Sequence, residues 1–415
     1  MNDPMAVTTS TAVEPSTAPL VLTTPELGTI YLNVQPWTLT ISDNLCATFV
    51  FDREGRPASC FLDGKNYRFG LSGDILLKVV RPPAAKLRRL LSPDEGARLR
   101  EAVYTRLTRI SGGIAAMLPA DVRDWLALIL SWDEARVAAE RQRFLTIYRP
   151  ISIVPPDQYR ALVLQVTEGC SWNRCTFCSF YRDRRFRIKS PAALQEHIAQ
   201  VKAFLGRGLG LRRSIFLADA NALIIPQPRL RALLEVIHSA FPVAEGEQRR
   251  HLYGFLDIFG AEQKTAEQYA ELRSYGLRRL YIGLESGDEA VFRLLNKPGS
   301  PQQAITIVER IKAAGIHVGI ILLAGAGGAD LAHRHVARSL AALSAMNLDQ
   351  GDLVYISPLI IPDDGDYARQ AHTLGLRPLS AAALNAQLAE LKAGARAATG
   401  GRPPVALYHI EEWLY

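Results

Sequence analysis

The sequence predicts an α/β fold in which a partial (β/α)6 TIM-like barrel follows a small N-terminal α+β extension. Six apolar, strand-like runs alternate with amphipathic helical stretches in the second half of the chain, a pattern typical of a parallel sheet. Polar residues stand where these runs end, and the carboxyl ends of the strands form the active-site face of an α/β barrel. These two observations favour a barrel over a doubly wound sheet.

Composition and turn signals divide the chain into four predicted segments. Residues 1–28 are rich in Ser, Thr, Pro and Ala without periodicity, which indicates a flexible tail. Residues 29–155 form the extension, with hairpins in a small antiparallel sheet followed by a helical composition over residues 84–148. Residues 156–360 form the barrel, and residues 361–415 form a helical and strand extension behind it.

Strands and helices of the barrel follow from apolar runs and from explicit start and stop signals. Two helices, within 190–206 and 300–315, begin with a serine and a proline and end at a glycine. The predicted strands are Ala161–Val166, Ser214–Leu217, Leu252–Leu256, Leu280–Leu284, Val318–Leu323 and Leu353–Ile356. The polar residues that end these strands also suit turns and helix caps, so each taken singly has a structural alternative.

Composition excludes several classes of protein. Of the 415 residues, 48% are hydrophobic and 21% are charged, which is enough apolar surface for a buried core. The net charge of +7 fits an anionic substrate but is too dispersed to indicate nucleic-acid binding by itself. No apolar run has the length of a membrane span, and five cysteines do not make a disulfide framework. We therefore expect a cytoplasmic protein without a membrane partner.

Three cysteines lie within nine residues, directly after the first predicted strand of the barrel. Four residues separate Cys170 from Cys175 and two separate Cys175 from Cys178, so their thiolates can converge on one metal centre. A structural zinc site usually has four protein ligands, and the other two cysteines, Cys46 and Cys60, lie in the extension. Three thiolates without a local fourth ligand favour a four-iron cluster with one open iron.

This loop resembles that of the radical S-adenosylmethionine (radical SAM) superfamily, in which three cysteines follow the first strand of a partial barrel. The first gap most often holds three residues in that family and holds four here. The resemblance places Phe177, the aromatic residue before the last cysteine, against the adenine of the cofactor. It also assigns Asp219 and Asn221, at the second strand, to the methionyl amino group, although the usual Gly-Gly-Glu is absent.

Two later segments extend the resemblance. Tyr281–Gly287 is similar to the family's fourth-strand motif, which implies that Glu285 and Ser286 contact the ribose or the methionyl group. Gly315–Ile320 is similar to the fifth-strand segment whose backbone lies along the adenine, and this places Ile320 in the cofactor site. His333 and His335 follow this strand, and a surface or helix-cap role is favoured for both.

The resemblance implies an enzyme with a [4Fe–4S] cluster that cleaves S-adenosylmethionine reductively and abstracts a hydrogen from an unidentified substrate. It implies an electron donor such as flavodoxin or ferredoxin, and it leaves the catalytic residue unknown. No cobalamin is expected, because the Asp-x-His-x-x-Gly string is absent. A second hypothesis is a non-catalytic zinc module that binds nucleic acid through the basic run 182–189. A third is an enzyme similar to coproporphyrinogen oxidase.

Overall fold

The computed structural model describes residues 19–79, 87–243, 250–261, 264–361 and 365–415. These residues form two compact units. The first contains the described residues up to Gln142, together with 205–211 and Leu414, and the second contains the rest. The sequence-based boundary at residue 155 thus falls inside the second unit.

An eight-stranded antiparallel sheet forms the larger part of the first unit, and each strand pairs with its neighbours in sequence. One face is apolar because side chains alternate along a strand, and it buries Phe49 and Phe51 in the same core as Leu107 and Ile110 of the first helix. The strands are β1 Leu20–Thr24, β2 Gly28–Val34, β3 Thr38–Asp43, β4 Ala47–Asp52, β5 Pro57–Leu62, β6 Lys65–Phe69, β7 Ile75–Val79 and β8 Leu87–Leu90.

Three helices follow this sheet: α1 Pro93–Ile114, α2 Ala120–Leu130 and α3 Glu134–Ile147. Helix α1 begins with a capping box, in which Ser92 and Glu95 satisfy each other's backbone amides. The predicted antiparallel sheet and helical stretch are confirmed, with two corrections at their edges. Strand β1 occupies residues assigned to the flexible tail, of which residues 1–18 lie outside the described residues. Strand β8 occupies the beginning of the stretch expected to be helical.

A seven-stranded parallel sheet is the centre of the second unit, with the strands in the order β9, β12, β13, β14, β15, β16, β17. All four residues of β9 and of β12 are buried, as expected for a parallel sheet covered on both faces. The strands are β9 Leu162–Gln165, β12 Ile215–Ala218, β13 Leu252–Phe255, β14 Leu277–Glu285, β15 His317–Ala324, β16 Leu353–Pro358 and β17 Val405–Leu407. A two-residue ladder pairs β10 Thr167–Glu168 with β11 Arg187–Ile188.

Helices connect these parallel strands, as the alternating pattern predicts. They are α4 Pro191–Leu205, α5 Gln227–Ala240, the kinked turn α6 Ile258–Ala261, α7 Ala266–Ser274, α8 Glu289–Leu294, α9 Pro301–Ala313, α10 Ala332–Ala345, α11 Asp366–Thr373 and α12 Ala381–Ala398. The signals at α9 act as expected. Ser300 accepts a hydrogen bond from the amide of Gln303, and Gly315 has a φ of +73° just after the helix ends.

All six predicted barrel strands are present, and a seventh, β17, extends the sheet beyond β16. Its three residues follow two prolines and are too few to show a periodicity, so the prediction of a helical and strand extension did not locate this strand. Residues 361–415 therefore contribute a strand to the barrel sheet as well as helices. Among the described residues, no helix combines the length and the apolar composition needed to cross a membrane.

Candidate functional site

The cysteine loop, residues 169–181, leaves the sheet after β9 and β10. Its first residue, Gly169, has a φ of +79°, and a Cβ there would lie 3.2 Å from the carbonyl oxygen of Arg185. Glycine thus lets the chain turn sharply while strand β11 returns beside it. The loop thereby starts at the carboxyl end of the parallel sheet.

The last residue of α8 and the residues just after it hold the middle of the loop through hydrogen bonds. The Trp172 indole donates to the carbonyl of Asn296 at 2.8 Å, and the Thr176 hydroxyl donates to the carbonyl of Leu294 at 2.9 Å. In return, the Asn296 side chain donates to the carbonyl of Arg174 at 2.8 Å. These bonds fix the loop without engaging its thiols.

Asp219, at the end of β12, holds the beginning of the loop. Its carboxylate accepts hydrogen bonds from the amide of Gly169 at 2.9 Å and from the side chain of Gln165 at 2.8 Å, and Arg184 lies 3.7 Å away. Burial raises the pKa of Asp219, and these hydrogen bonds counteract the rise. Both carboxylate oxygens are therefore committed to the loop and its support.

Asn221 joins the loop to the next strand. Its amide nitrogen donates to the hydroxyl of Ser171 at 3.3 Å, and its oxygen accepts from the backbone of Asp257 at 3.1 Å. With 1% of its surface exposed, Asn221 has both ends of its side chain engaged. It thus fixes the position of Asp257 relative to the cysteine loop.

The three thiols line a cavity of about 180 Å³ at the carboxyl ends of the strands. Burial raises the pKa of Cys170, Cys175 and Cys178, to about 12 for Cys175, and the charge of Lys297 opposes this rise at each thiol. The Arg182 guanidinium donates to the carbonyls of Cys175 and Cys178 at 3.2 and 3.3 Å. A metal that binds here has to displace protons from thiols that burial keeps neutral.

A buried group of two carboxylates and one ammonium also lines this cavity. Lys297 Nζ lies 3.8 Å from Asp257 Oδ1 and 3.7 Å from Glu285 Oε1. Burial lowers the pKa of Lys297, but the two carboxylates outweigh burial and raise it. Asp257 Oδ1 is buried and accepts no hydrogen bond from the described residues. An unsatisfied buried oxygen in a cavity wall is suited to a donor on a ligand.

The segment after β14 holds Glu285 in an unusual backbone conformation. Glu285 has a φ of +61°, in the left-handed region that non-glycine residues rarely adopt. A Cβ on Gly287 would lie 2.3 Å from the carbonyl oxygen of Arg338, so α10 packs directly on this segment. The Ser286 hydroxyl lies 2.8 Å from Nδ1 of the fully buried His335. The expected surface or cap role of His335 is therefore wrong.

Of the residues assigned to the cofactor, the structure brings Phe177 and Glu285 into the cavity beside the three cysteines. The carboxylate of Asp219 and the amide of Asn221 instead bond to the loop and its supports, and Ser286 is fully buried against His335. The lining of the cavity includes Ile321 and Leu323 of strand β15 but not Ile320. Alternate side chains of a strand face opposite sides of the sheet, so Ile320 faces away from the cavity.

Two lining residues, Asp257 and Lys297, were not assigned to the site from sequence. Asp257 directly follows the apolar run of β13, and a polar residue at a strand end is the sequence signal for it. Lys297 follows α8 in a Leu-Asn-Lys-Pro string and carries no local signal. Its place in the cavity depends on how α8 packs against the cysteine loop.

Comparison with known proteins identifies the domain that contains this site. Residues 164–338 match the family model of the radical SAM superfamily. The members of this superfamily are enzymes. The methyltransferase TsrM of Kitasatospora setae, whose structure contains cobalamin and a [4Fe–4S] cluster, is 16% identical with a TM-score of 0.38, over 51% of this chain and 40% of that one. The match to the family model begins inside β9 and ends inside α10, so it includes the cysteine loop, Asp257, Glu285 and Lys297.

Individual relatives are distant. The 4′-phospho-dehydrooxetanocin synthase of Priestia megaterium is 25% identical over 170 residues, which are 39% of this chain and 23% of that protein. The coproporphyrinogen III oxidase of Escherichia coli is 14% identical with a TM-score of 0.43, over 57% of this chain and 52% of that one. The cobalamin-dependent enzyme OxsB is 20% identical with a TM-score of 0.36, over 58% and 31%. This chain thus spans about a quarter of the length of the curated relative.

We expect Asp219→Ala to weaken the cysteine loop, because the amide of Gly169 and the side chain of Gln165 lose a buried acceptor. The free energy of unfolding should fall by about 1–3 kcal/mol. After anaerobic reconstitution, the bound iron per chain should fall by at least about half. Asp183→Ala, at an exposed carboxylate two residues from the loop, is the matched control and should retain its iron. Full iron content in Asp219→Ala would contradict a positioning role for this carboxylate.

Two buried histidines predict how stability depends on pH. Burial lowers the pKa of His197 and His335 to about 4, whereas an unfolded histidine titrates near pH 6.5. The stability that these two histidines contribute is thus complete above about pH 6.5 and is lost as the pH falls towards 4. For each histidine, the free energy of unfolding falls by up to about 1.4 kcal/mol per pH unit. In urea denaturation, the free energy of unfolding of His335→Gln should depend less steeply on pH than that of the unmodified chain. His372→Gln, at an exposed site, should show the same pH dependence as the unmodified chain.

Proposed function

We propose that this chain is a radical SAM enzyme whose substrate is not yet identified, because residues 164–338 match the family model of that superfamily. In this proposal Cys170, Cys175 and Cys178 hold a [4Fe–4S] cluster with one iron open to S-adenosylmethionine. The observation that carries it is the cavity itself, in which three thiols stand beside two carboxylates and an ammonium group. These are the donor types that a cluster and an amino-acid group need.

The donor set fits a cluster better than a single zinc ion. The lining of this cavity, as far as the structure describes it, holds three thiols and neither a fourth cysteine nor a histidine. A structural zinc ion usually has four protein ligands, whereas a [4Fe–4S] cluster with one open iron takes three thiolates. The zinc and nucleic-acid hypothesis thus has no support here.

The charged residues fit the amino-acid end of S-adenosylmethionine. That end carries an ammonium and a carboxylate, and the cavity offers both complementary charges. Asp257 Oδ1 accepts no hydrogen bond from the described residues and could receive the ammonium, with Glu285 beside it. Lys297 could pair with the carboxylate. We therefore assign these three residues to the methionyl group, and Asp219 and Asn221 to positioning the cysteine loop.

A cluster held by Cys170, Cys175 and Cys178 would supply one electron for the reductive cleavage of S-adenosylmethionine into methionine and a 5′-deoxyadenosyl radical, which would take a hydrogen atom from the substrate. The chain's own part is to bind, to orient and to exclude water. Phe177 offers a ring face to the adenine. Apolar side chains such as Ile321 and Leu323 cover the cavity, and they protect a radical from quenching by solvent.

The electron must come from a separate donor, and the basic run lies beside the cysteine loop. Arg184 and Lys189 are engaged with acidic groups, but Arg185 and Arg187 are exposed. Arg187 lies opposite Glu168 in the β10–β11 ladder, two residues before Cys170. A cationic surface at this place suits an acidic one-electron carrier such as flavodoxin or ferredoxin.

The proposed cluster predicts the result of removing one thiol. Cys175→Ser should lower the bound iron from about four atoms per chain to below about one. It should also reduce the formation of 5′-deoxyadenosine under dithionite by at least about 100-fold. Cys46→Ser, at an exposed thiol of the first unit, is the control and should match the unmodified chain. Iron and cleavage retained in Cys175→Ser would refute the proposed function.

If the exposed Arg185 and Arg187 form the docking surface for the electron donor, replacing them should slow reduction by a protein donor but not by a small molecule. The double variant Arg185→Glu/Arg187→Glu should be reduced by flavodoxin about tenfold more slowly at low salt, because the acidic carrier is repelled. Reduction by dithionite, a small molecule, should stay within about twofold of normal, and added salt should narrow the flavodoxin difference. Arg396→Glu, on the exposed side of α12, is the charge control. An equal loss with both reductants would exclude docking as the cause.

A further inference from the structure

The parallel sheet of the second unit is open, because β9 and β17 stand at its two edges. The residues after β17, which we call the closing segment (408–413), run from one edge towards the other. The backbone amide of Tyr408 donates to the carbonyl of Ile356 in β16 at 2.8 Å. The side-chain hydroxyl of Tyr408 donates to the carbonyl of Val154 at 3.0 Å. The closing segment thus connects β16 to the residues just before β9.

Aromatic side chains anchor this segment beside β9. The indole of Trp413 donates to the carbonyl of Ile151 at 2.8 Å, and the amide of Val163 in β9 donates to the hydroxyl of Tyr415 at 3.0 Å. Tyr408, Trp413 and Tyr415 are each at most 9% exposed. Buried aromatic groups with satisfied polar atoms fix a chain well. The segment is therefore a fixed part of the barrel wall.

The closing segment and its neighbours give the cavity an uncharged wall. Ile153, Leu359, Ile360, Tyr408 and Ile410 line it there. Tyr408 donates its hydroxyl to Val154, so it presents ring carbon rather than a free polar group. Ser357, near the end of β16, adds a neutral hydroxyl to this wall. The hydroxyl donates only a long hydrogen bond of 3.5 Å to the carbonyl of Pro358.

All charged lining residues of the cavity, among those that the structure describes, are Asp257, Glu285 and Lys297. The proposed function assigns this group to the methionyl end of S-adenosylmethionine. With the methionyl end bound there and the adenine against Phe177, a second ligand meets the remaining lining, which is the apolar wall and the hydroxyl of Ser357. A phosphate or carboxylate placed there would lose its hydration without gaining a partner, which is strongly unfavourable.

We infer that the closing segment is the substrate-facing wall, and that the substrate group entering the cavity is uncharged and largely apolar. This inference rests on the proposed function for the place of the cofactor. It deepens that function by naming the chemical class of the group from which hydrogen is taken. Ile410 is then a residue that determines specificity, because its half-buried side chain lines the cavity from the closing segment.

The test compares two probes of the same shape, 4-methylbenzamide and 4-methylbenzoate, which differ in charge. Binding is measured by saturation-transfer NMR on reconstituted protein with S-adenosylmethionine and without reductant. We expect the amide to bind at least about tenfold more tightly than the carboxylate. Ile410→Lys should reduce or reverse this preference by supplying a cation. Leu407→Lys, the same kind of substitution at an exposed position of β17, should leave it unchanged.

Tighter or equal binding of the carboxylate to the unmodified protein would overturn the inference, and so would a failure of both probes to bind. An unchanged preference in Ile410→Lys would also overturn it, provided that its melting temperature matches that of Leu407→Lys. The proposed function fails in a different way, through missing iron or missing 5′-deoxyadenosine. If the protein prefers the uncharged probe but does not cleave S-adenosylmethionine, the result contradicts the proposed function and supports the uncharged wall.

Discussion

The cysteine loop has to be rigid while its thiols stay open to the cavity, and most polar contacts of the site follow from this constraint. Asp219 takes the amide of Gly169, and the carbonyls of Leu294 and Asn296 take donors from Thr176 and Trp172. Each of these contacts satisfies a polar group of the loop without involving a cysteine side chain. The thiols remain available for a metal because neighbouring elements complete the loop's hydrogen bonds.

The same constraint couples the loop to the charges of the cavity. Lys297 follows directly after the residues that hold Trp172 and Thr176, so the segment that fixes the loop also places the ammonium. Asn221 makes a second coupling, since it bonds to Ser171 and to the backbone of Asp257. The thiols and the charged group therefore share their supports. A displacement of either support would change the metal ligands and the charges together.

The sequence was sufficient for elements whose information is local. Apolar runs predicted six strands, the Ser300 cap and Gly315 marked a helix, and the cysteine spacing located the loop. It was insufficient where tertiary packing decides which way a side chain faces. Asp219 stands at a strand end as expected, yet it bonds to the loop rather than facing the cavity. Lys297 reaches the cavity through the packing of α8, and no local pattern encodes that.

The thiols and charges of the cavity all lie within the range of the family match, whereas apolar lining residues lie both inside and outside it. The three thiols, the two carboxylates and Lys297 lie within residues 164–338, which match the superfamily model. The uncharged wall comes from Ile153, the end of β16 and the closing segment, all outside that range. In the proposed function, the matched range supplies the donors for the cluster and for S-adenosylmethionine. Residues outside the match supply the surface on which this chain can differ, so the substrate is to be sought through the chemistry of that wall.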